Sequence, residues 1–199
     1  MGHILVFNHM TLDGVMQAPG REDEDRRGGF THGGWARANN DAVMAGAFGA
    51  GMRGTSGLLL GRWTYESFAA FWPHQPQPNP FTTVLDNSPK FVVSRTLNEP
   101  LPWKNSTMLR GEAADTVATL KRDSDKNLVV LGSGELVQTL LEHDLVDELL
   151  LFIHPLLLGT GRRLFGDDGS VTRLQLVETK PTTTGVIIAT YRRREENVR

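Results

Sequence analysis

Gly57-Leu58-Leu59-Leu60-Gly61-Arg62-Trp63-Thr64-Tyr65-Glu66 is a short apolar run that passes, through Gly-Arg-x-Thr, into a helical pattern. Leu58 to Leu60 reads as a buried strand. Tyr65, Phe68, Phe71 and Trp72 then recur at helical spacing until Pro73 ends the pattern. A strand that turns directly into a helix is the unit from which α/β sheets are built. The junction also suits an anion: a glycine lets the backbone approach a ligand closely, the first turn of a helix has free N–H groups, Thr64 adds a hydroxyl, and Arg62 adds a planar fork of donors. The same residues equally describe a plain capped helix, with Thr64 as its N-cap and Arg62 as a solvated charge.

On the N-terminal side, His3 to Asn8 is a second apolar run, closed by the turn Thr11-Leu12-Asp13-Gly14. A polar, glycine-rich stretch from Gln17 to Gly34 is long for an idle connector and reads as a lid or a locally disordered segment. Trp35 to about Met52 is alanine-rich enough for a helix, weakened by Gly46, Gly49 and Gly51. On the C-terminal side, Pro73 to Pro80 is a surface excursion and Lys90 to Arg95 a strand. Asp115 to Arg122 is a helix and Asn127 to Leu131 a strand. Gly132-Ser133-Gly134 opens a helix with an apolar face of Leu136, Val137, Leu140 and Leu141. Val146 to Leu158 is strand-like, Gly159-Thr160-Gly161 turns, and Arg173 to Glu178 and Gly185 to Arg193 form a closing pair of strands. Strands alternating with helices, followed by strands alone, predict an α/β fold: a central, mostly parallel sheet with an antiparallel edge, in one domain over residues 1–199.

Composition narrows the function. The 199 residues are 39% hydrophobic and 22% charged, and no apolar run reaches the ~18–20 residues of a membrane-spanning helix. A net charge of −2 and a pI near 6.3 give no electrostatic reason to expect nucleic acid, and Arg192-Arg193-Arg194 runs at once into Glu195-Glu196. The absence of cysteine excludes disulfides, thiol nucleophiles and cysteine-ligated metal. With no targeting pattern at Met1-Gly2-His3, the expectation is a cytoplasmic protein. His3, His9, His32, His74, His143 and His154 show no metal-ligand spacing, and no metal is expected.

Two strand-to-helix turns, Gly61-Arg62-Trp63-Thr64 and Gly132-Ser133-Gly134-Glu135, each end an apolar strand, and a third strand ends on Ser94-Arg95. Ligands of open α/β sheets gather at the carboxyl ends of strands, so these turns can bracket one dinucleotide. The second turn is not the Rossmann fingerprint, because Val137 stands where its last glycine belongs.

Leu-Leu-Leu-Gly-Arg-x-Thr-Tyr-Glu, Lys-Phe-Val-Val-Ser-Arg, Val-Leu-Gly-Ser-Gly-Glu-Leu and Leu-Val-Asp-Glu-Leu…His-Pro-Leu-Leu-Leu-Gly-Thr-Gly-Arg-Arg-Leu-Phe occur in that order over nearly the whole chain. Together they resemble the dihydrofolate-reductase-like family, in the branch that contains the reductase domain of the bifunctional riboflavin-biosynthesis deaminase/reductase. The resemblance implies a three-layer dihydrofolate-reductase-like fold that binds NADPH. It puts Gly61, Arg62 and Thr64 along the cofactor phosphates and Ser94 and Arg95 near the adenosine 2′-phosphate. Gly132, Ser133, Gly134, Glu135, Leu136 and Val137 fall near the pyrophosphate and nicotinamide ribose. The family often has a cis peptide in this last turn; with Ser133 in place of a glycine, a cis Gly132–Ser133 bond would cost about 3 kcal/mol.

Reduction of a C=N bond needs hydride on carbon and a proton on nitrogen, so a carboxyl group near the substrate is the obvious donor. Folate reductases carry one on the first long helix, and Asp41 is the one carboxylate between Asp25 and Glu66. Asp41 is therefore the candidate acid and Asp13 its competitor, although Asp13 in Leu-Asp-Gly also reads as a turn-former. Asn8 and Asp13, at the end of the first strand, and Trp35 are the candidate substrate contacts; Trp35 reads equally as a core anchor. The expected activity is NADPH-dependent reduction of a small pyrimidine- or pterin-like heterocycle, resembling 5-amino-6-(5-phosphoribosylamino)uracil reductase of riboflavin biosynthesis. The alternatives are a dihydrofolate reductase and a nucleotide-binding module without turnover. Leu149 to Ile153, continuing into Leu156-Leu157-Leu158, is the expected homodimer face, with ordinary core as the other reading.

Overall fold

The computed structural model describes residues 2–76, 79–123, 125, 127–166 and 171–194, so Glu195, Glu196 and part of the proline-rich excursion lie outside the described residues. The apolar runs form strands β1 (His3–Thr11), β2 (Gly57–Gly61), β3 (Lys90–Val93), β5 (Asn127–Leu131) and β6 (Glu148–His154). With β4 (Ser106–Leu109), β7 (Leu174–Pro181) and β8 (Ile187–Arg193) they make an eight-stranded sheet in the order β4-β3-β2-β5-β1-β6-β8-β7. The strands from β4 to β6 run parallel; β8 returns antiparallel to β6, and β7 to β8.

The inner strands read as continuous apolar runs because both of their faces are covered. Helices α4 (Ala113–Arg122) and α5 (Gly134–Glu142) pack Val117, Leu136, Val137 and Leu140 on one face, against Ile4, Val6, Leu59 and Val130. On the other face, α1 (Ala42–Gly51), α2 (Arg62–Phe71) and α3 (Pro80–Asn87) pack Met44, Tyr65 and Leu85 against Phe7, Leu58, Leu60 and Leu131. The result is three layers.

Several elements differ from the sequence reading. The helix expected from Trp35 begins only at Ala42: a 3-10 turn at Arg37–Asn39 comes first, and Asp41 is the extended N-cap. Asn and Asp side chains compete with the backbone for hydrogen bonds, which favours a cap over a helix interior. Helix α3 and strand β4 were not anticipated. The first is short and starts on Asn79-Pro80, whose amide side chain accepts from the N–H groups of Phe81 and Thr82; the second is only half-buried. Lys90, fully buried, closes α3 by donating from Nζ to the carbonyls of Leu85 and Ser88. Strand β6 stops at His154, short of Leu158. Its Leu149, Leu150, Leu151 and Phe152 are buried between β1 and β8, so this part of the expected dimer face is core, whereas Leu157 beyond the strand is exposed; other exposed apolar residues stand on the last hairpin, at Leu176, Val177 and Ile187.

Two features of the topology position the site. The chain leaves β1 toward β2 on one side and crosses from β5 to β6 on the other, so β1 and β5 flank the point where the winding reverses. The last β1–β5 pair is Phe7 with Leu131, while β1 continues to Thr11 with β6 as its only neighbour. A crevice opens there, at the carboxyl ends of the parallel strands.

Candidate active site

That crevice is part of a cleft of about 1540 Å³. Its lining has two characters. The polar arm follows the strand-to-helix turns at Gly61–Thr64, Ser94–Thr96, Gly111–Asp115 and Gly132–Glu135, and the apolar arm is built from Phe7, His9, Phe48, Phe68 and Phe81.

The turns of the polar arm are knitted to one another. Ser133 N–H donates to Thr64 Oγ1 (2.9 Å), Gly61 N–H donates to Ser133 Oγ (3.0 Å), and Ser133 Oγ donates to the Leu131 carbonyl. Asn8 is buried, and its amide reaches across the crevice to the Gly132 carbonyl (2.9 Å). Gly132 and Ser133 both have left-handed backbone, φ +57° and +56°. The bond between them is trans: among the described residues the one cis peptide is Glu99–Pro100.

The helix ends divide in a way that bears on function. Helices α1 and α3 have their first N–H groups satisfied by the side chains of Asp41 and Asn79. Helices α2, α4 and α5, whose first turns line the cleft, have no side-chain cap. Every helix start leaves orphan donors, and here the uncapped ones converge on one space.

Three arginines beside them are each paired with a carboxylate. Arg62 donates from Nε to Glu66 (3.2 Å) and from Nη1 to Thr96 (2.7 Å). Arg95 pairs with Glu112 (2.9 Å), and Arg162 with Glu135 (2.6 Å). All of these pairs are solvated, so an incoming anion displaces a weak contact. The loop from Gln17 to Gly34 forms one wall. It is fastened to α2 by Arg21, which donates to Ser67 and stacks on Phe71 (4.1 Å), and by Arg27, which stacks on Trp63 (4.4 Å).

The sequence-nominated residues separate accordingly. Gly61, Arg62, Thr64, Ser94, Arg95, Gly132, Ser133, Gly134, Glu135 and Leu136 line the cleft, and so does Asn8. Val137 does not; it is fully buried in the core beneath α5. Asp41 lies outside the cleft lining, one oxygen accepting from Met44 N–H and the other from the N–H and hydroxyl of Thr183. Those hydrogen bonds, the Thr183 hydroxyl first, hold its carboxyl below the ordinary aspartate range. Asp13 is likewise filled, by Thr11 Oγ1 and by the N–H groups of Leu158 and Gly159, and is the turn-former. Trp35 donates to the Gln17 carbonyl and packs beside Val15, Ala18 and Phe30 as an anchor behind the cleft.

Sequence reasoning missed Glu24, His9, Arg162 and Arg163, all of which line the cleft. Burial raises the Glu24 carboxyl above its ordinary value, even though one of its oxygens accepts from Gly20 and Arg21 N–H. Nothing in the pattern of a polar loop marks one carboxylate as half-buried in a cleft. The arginine pair was visible in Gly-Thr-Gly-Arg-Arg-Leu-Phe, but its closeness to Glu135 depends on how the loop after β6 folds back. Among the described residues no group of three or more His, Asp or Glu side chains is gathered to hold a metal ion, and no helix is long and apolar enough to cross a membrane.

A family model described as the RibD C-terminal domain matches residues 2–188. The uncharacterized protein YyaP of Bacillus subtilis (strain 168) is 28% identical over 137 residues, 67% of this chain and 72% of its own length. A crystal structure from Shewanella sp. PV-4, given a provisional riboflavin-biosynthesis name, superposes with TM-score 0.73 at 26% identity, over 97% of this chain and 99% of that one. RibD of Acinetobacter baumannii shares the fold at 13% identity and TM-score 0.65, over 98% of this chain; the chain spans 59% of that protein.

Proposed function

The chain belongs to the RibD C-terminal domain family, and from that premise we propose that it is an NADPH-dependent reductase of a small pyrimidine- or pterin-like heterocycle. The observation that carries the reading is the convergence of the uncapped starts of α2, α4 and α5 on one cleft, while α1 and α3 are capped by their own side chains. Orphan N–H groups with arginines beside them are what a pyrophosphate and a 2′-phosphate require. The cleft also exceeds the about 300–1,000 Å³ of a site for one small molecule, as befits a dinucleotide with a second ligand beside it.

In this reading Gly61, Arg62, Gly132, Ser133, Gly134 and Glu135 lie along the phosphates and the nicotinamide ribose, and Ser94 and Arg95 take the 2′-phosphate. Thr64 acts through Ser133, whose N–H it holds. When bound, NADPH supplies hydride. The protein's part is to lay a flat substrate on the aromatic arm, exclude water, and keep a proton available. Glu24 suits the last task better than Asp41: it lines the cleft and burial raises its affinity for a proton.

A nucleotide-binding module without turnover is the second reading, favoured by the full engagement of Asp41 and Asp13. Both are tested together by dissociation constants for NADPH and NADH and by NADPH oxidation with pyrimidine and pterin substrates. NADPH should bind more tightly, and Arg95→Ala should remove about 1.5–3 kcal/mol of that preference. Equal affinity for both nucleotides would overturn the cofactor choice. Tight NADPH binding with no oxidation by any such substrate would favour the module. Glu24→Gln is expected to lower turnover ~10²–10⁴-fold with NADPH affinity within a few-fold. Homodimerisation also belongs to this proposal, through the exposed apolar edge of β7.

A further inference from the structure

The first strand carries into the cleft a group that the cofactor reading does not use. His9 lies just beyond the last β1–β5 pair and lines the cleft. Its ring stacks on Phe152 (centroids 4.9 Å apart) and faces Phe7, and Phe7 continues through Phe48 to Phe81 in contacts of 5.0 and 4.6 Å. His9 is therefore the polar end of an aromatic wall. Its Nδ1 lies 3.0 Å from Nε2 of His154, the last residue of β6. Its Nε2 is on the other edge of the ring, and among the described residues the hydrogen bond to His154 is the one His9 makes through its side chain. His154 is fully buried, Trp35 stands edge-on to it at 5.1 Å, and its Nδ1 is without a hydrogen-bond partner among the described residues.

Two neutral imidazoles joined by one hydrogen bond have two arrangements. In the first, His9 donates from Nδ1, and the proton of His154 sits on its own Nδ1, a buried N–H with no acceptor. In the second, His154 donates from Nε2, its buried Nδ1 is a bare lone pair, and His9 carries its proton on Nε2. Orphaned buried N–H groups are the rarer fault in folded proteins, since an unpaired acceptor is better tolerated than an unpaired donor. Burial holds both rings far below the ordinary histidine range, to about 3 for His9 and about 4 for His154, so both are neutral near pH 7. The second arrangement follows.

We propose that His9, through Nε2–H, is the donor that receives and orients the substrate, taking a carbonyl oxygen or unprotonated ring nitrogen of a flat heterocycle laid on the Phe7–Phe48–Phe81 wall, and that His154 is the positioning residue that fixes its tautomer. Calling that ligand the substrate rests on the reductase reading; the tautomer does not. A subsite with a fixed donor selects against a heterocycle that places an N–H there, because two donors would then face each other.

The test combines ring nitrogen-15 resonances with the affinities of 6-aminouracil and pterin, used as probes with NADP⁺ present. His9 should be the Nε2–H tautomer at pH 7. His9→Phe should weaken the bound probe at least tenfold, and His9→Gln, which keeps a donor, should stay within a few-fold. Unchanged NADPH affinity in both variants checks that they fold. His154→Phe should release His9 into a tautomer mixture and weaken the probe, and His154→Gln, which can still donate, should restore both. An Nδ1–H tautomer in the wild type, equal probe affinity in His9→Phe, or no binding of either probe to the wild type would each overturn the proposal. A His154→Phe protein whose His9 keeps the Nε2–H form would overturn the positioning role. Probe binding that depends on His9 without NADPH oxidation supports the subsite and counts against the reductase reading alone.

Discussion

Asp41 and His154 show how the neighbours of a side chain decide what it does. Asp41 joins α1 to the turn before β8 through Met44 and Thr183. Asp41→Asn should therefore lower the melting temperature by a few degrees and leave NADPH affinity within a few-fold, whereas a catalytic acid would lose ~10²–10⁴ in turnover. The carboxyls of Asp13, Asp25 and Asp41 are all held below their ordinary value of 3.8, so the stability they add is present above that pH and is lost as pH falls through and below it. His9 and His154 act at a higher pH. The unfolded chain takes up their protons near 6.5, while the folded chain refuses them down to about 3 and about 4. Thermal denaturation followed against pH should be flat above about 7 for these two groups and decline from 6.5 toward 4, by up to about 1.4 kcal/mol per pH unit for each ring. His154→Gln should reduce that leg to the share carried by His9 and leave the acid leg in place. The histidine pair was not legible in the sequence: His9 and His154 are 145 positions apart, and only the β1–β6 register brings them together.

Among the elements, the strand-to-helix turns were the most legible features, because glycine, a small hydroxyl residue and an apolar strand next to one another in sequence already specify a turn with free N–H groups. The third uncapped terminus, at Glu112, was not: β4, which leads into it, is short and half-buried, and its periodicity is too weak to mark a strand. The contact between the first two turns is also tertiary. A methyl group on Gly132 would lie 3.0 Å from Thr64 Oγ1, and its φ of +57° disfavours any side chain. Gly132→Ala should cost about 1–2 kcal/mol from backbone conformation alone. It should also weaken NADPH binding by displacing the starts of α2 and α5 together; isothermal titration beside a denaturant curve separates the two effects.

For the molecule as a whole, the hairpin of β7 and β8 ends the sheet with an open edge. Strand β7 is exposed along its length and carries Leu174, Leu176 and Val177; Ile187, opposite Pro181 at the other end of the hairpin, is exposed as well. An apolar edge of this kind pairs or aggregates unless it is covered. We expect sedimentation at micromolar concentration to give a species of twice the 22.0 kDa chain mass, and Leu176→Lys to return it to the monomer. A wild type that sediments as a monomer would remove the dimer from the proposal. The sequence by itself determined the α/β class, the inner strands and the strand-to-helix turns, because each depends on residues a few positions apart: apolar runs, glycine at a turn, donors at a helix start. The tertiary structure alone decided which helix ends stay uncapped, that Asp41 and Asp13 are already engaged, and that His9 faces the cleft backed by His154. It alone showed that the leucines of β6 are core, that Leu157 beyond them is exposed, and that the hairpin is the open edge of the sheet. Those outcomes depend on which groups distant in the chain come to share a hydrogen bond or exclude water from one another, and that is fixed by strand order and register.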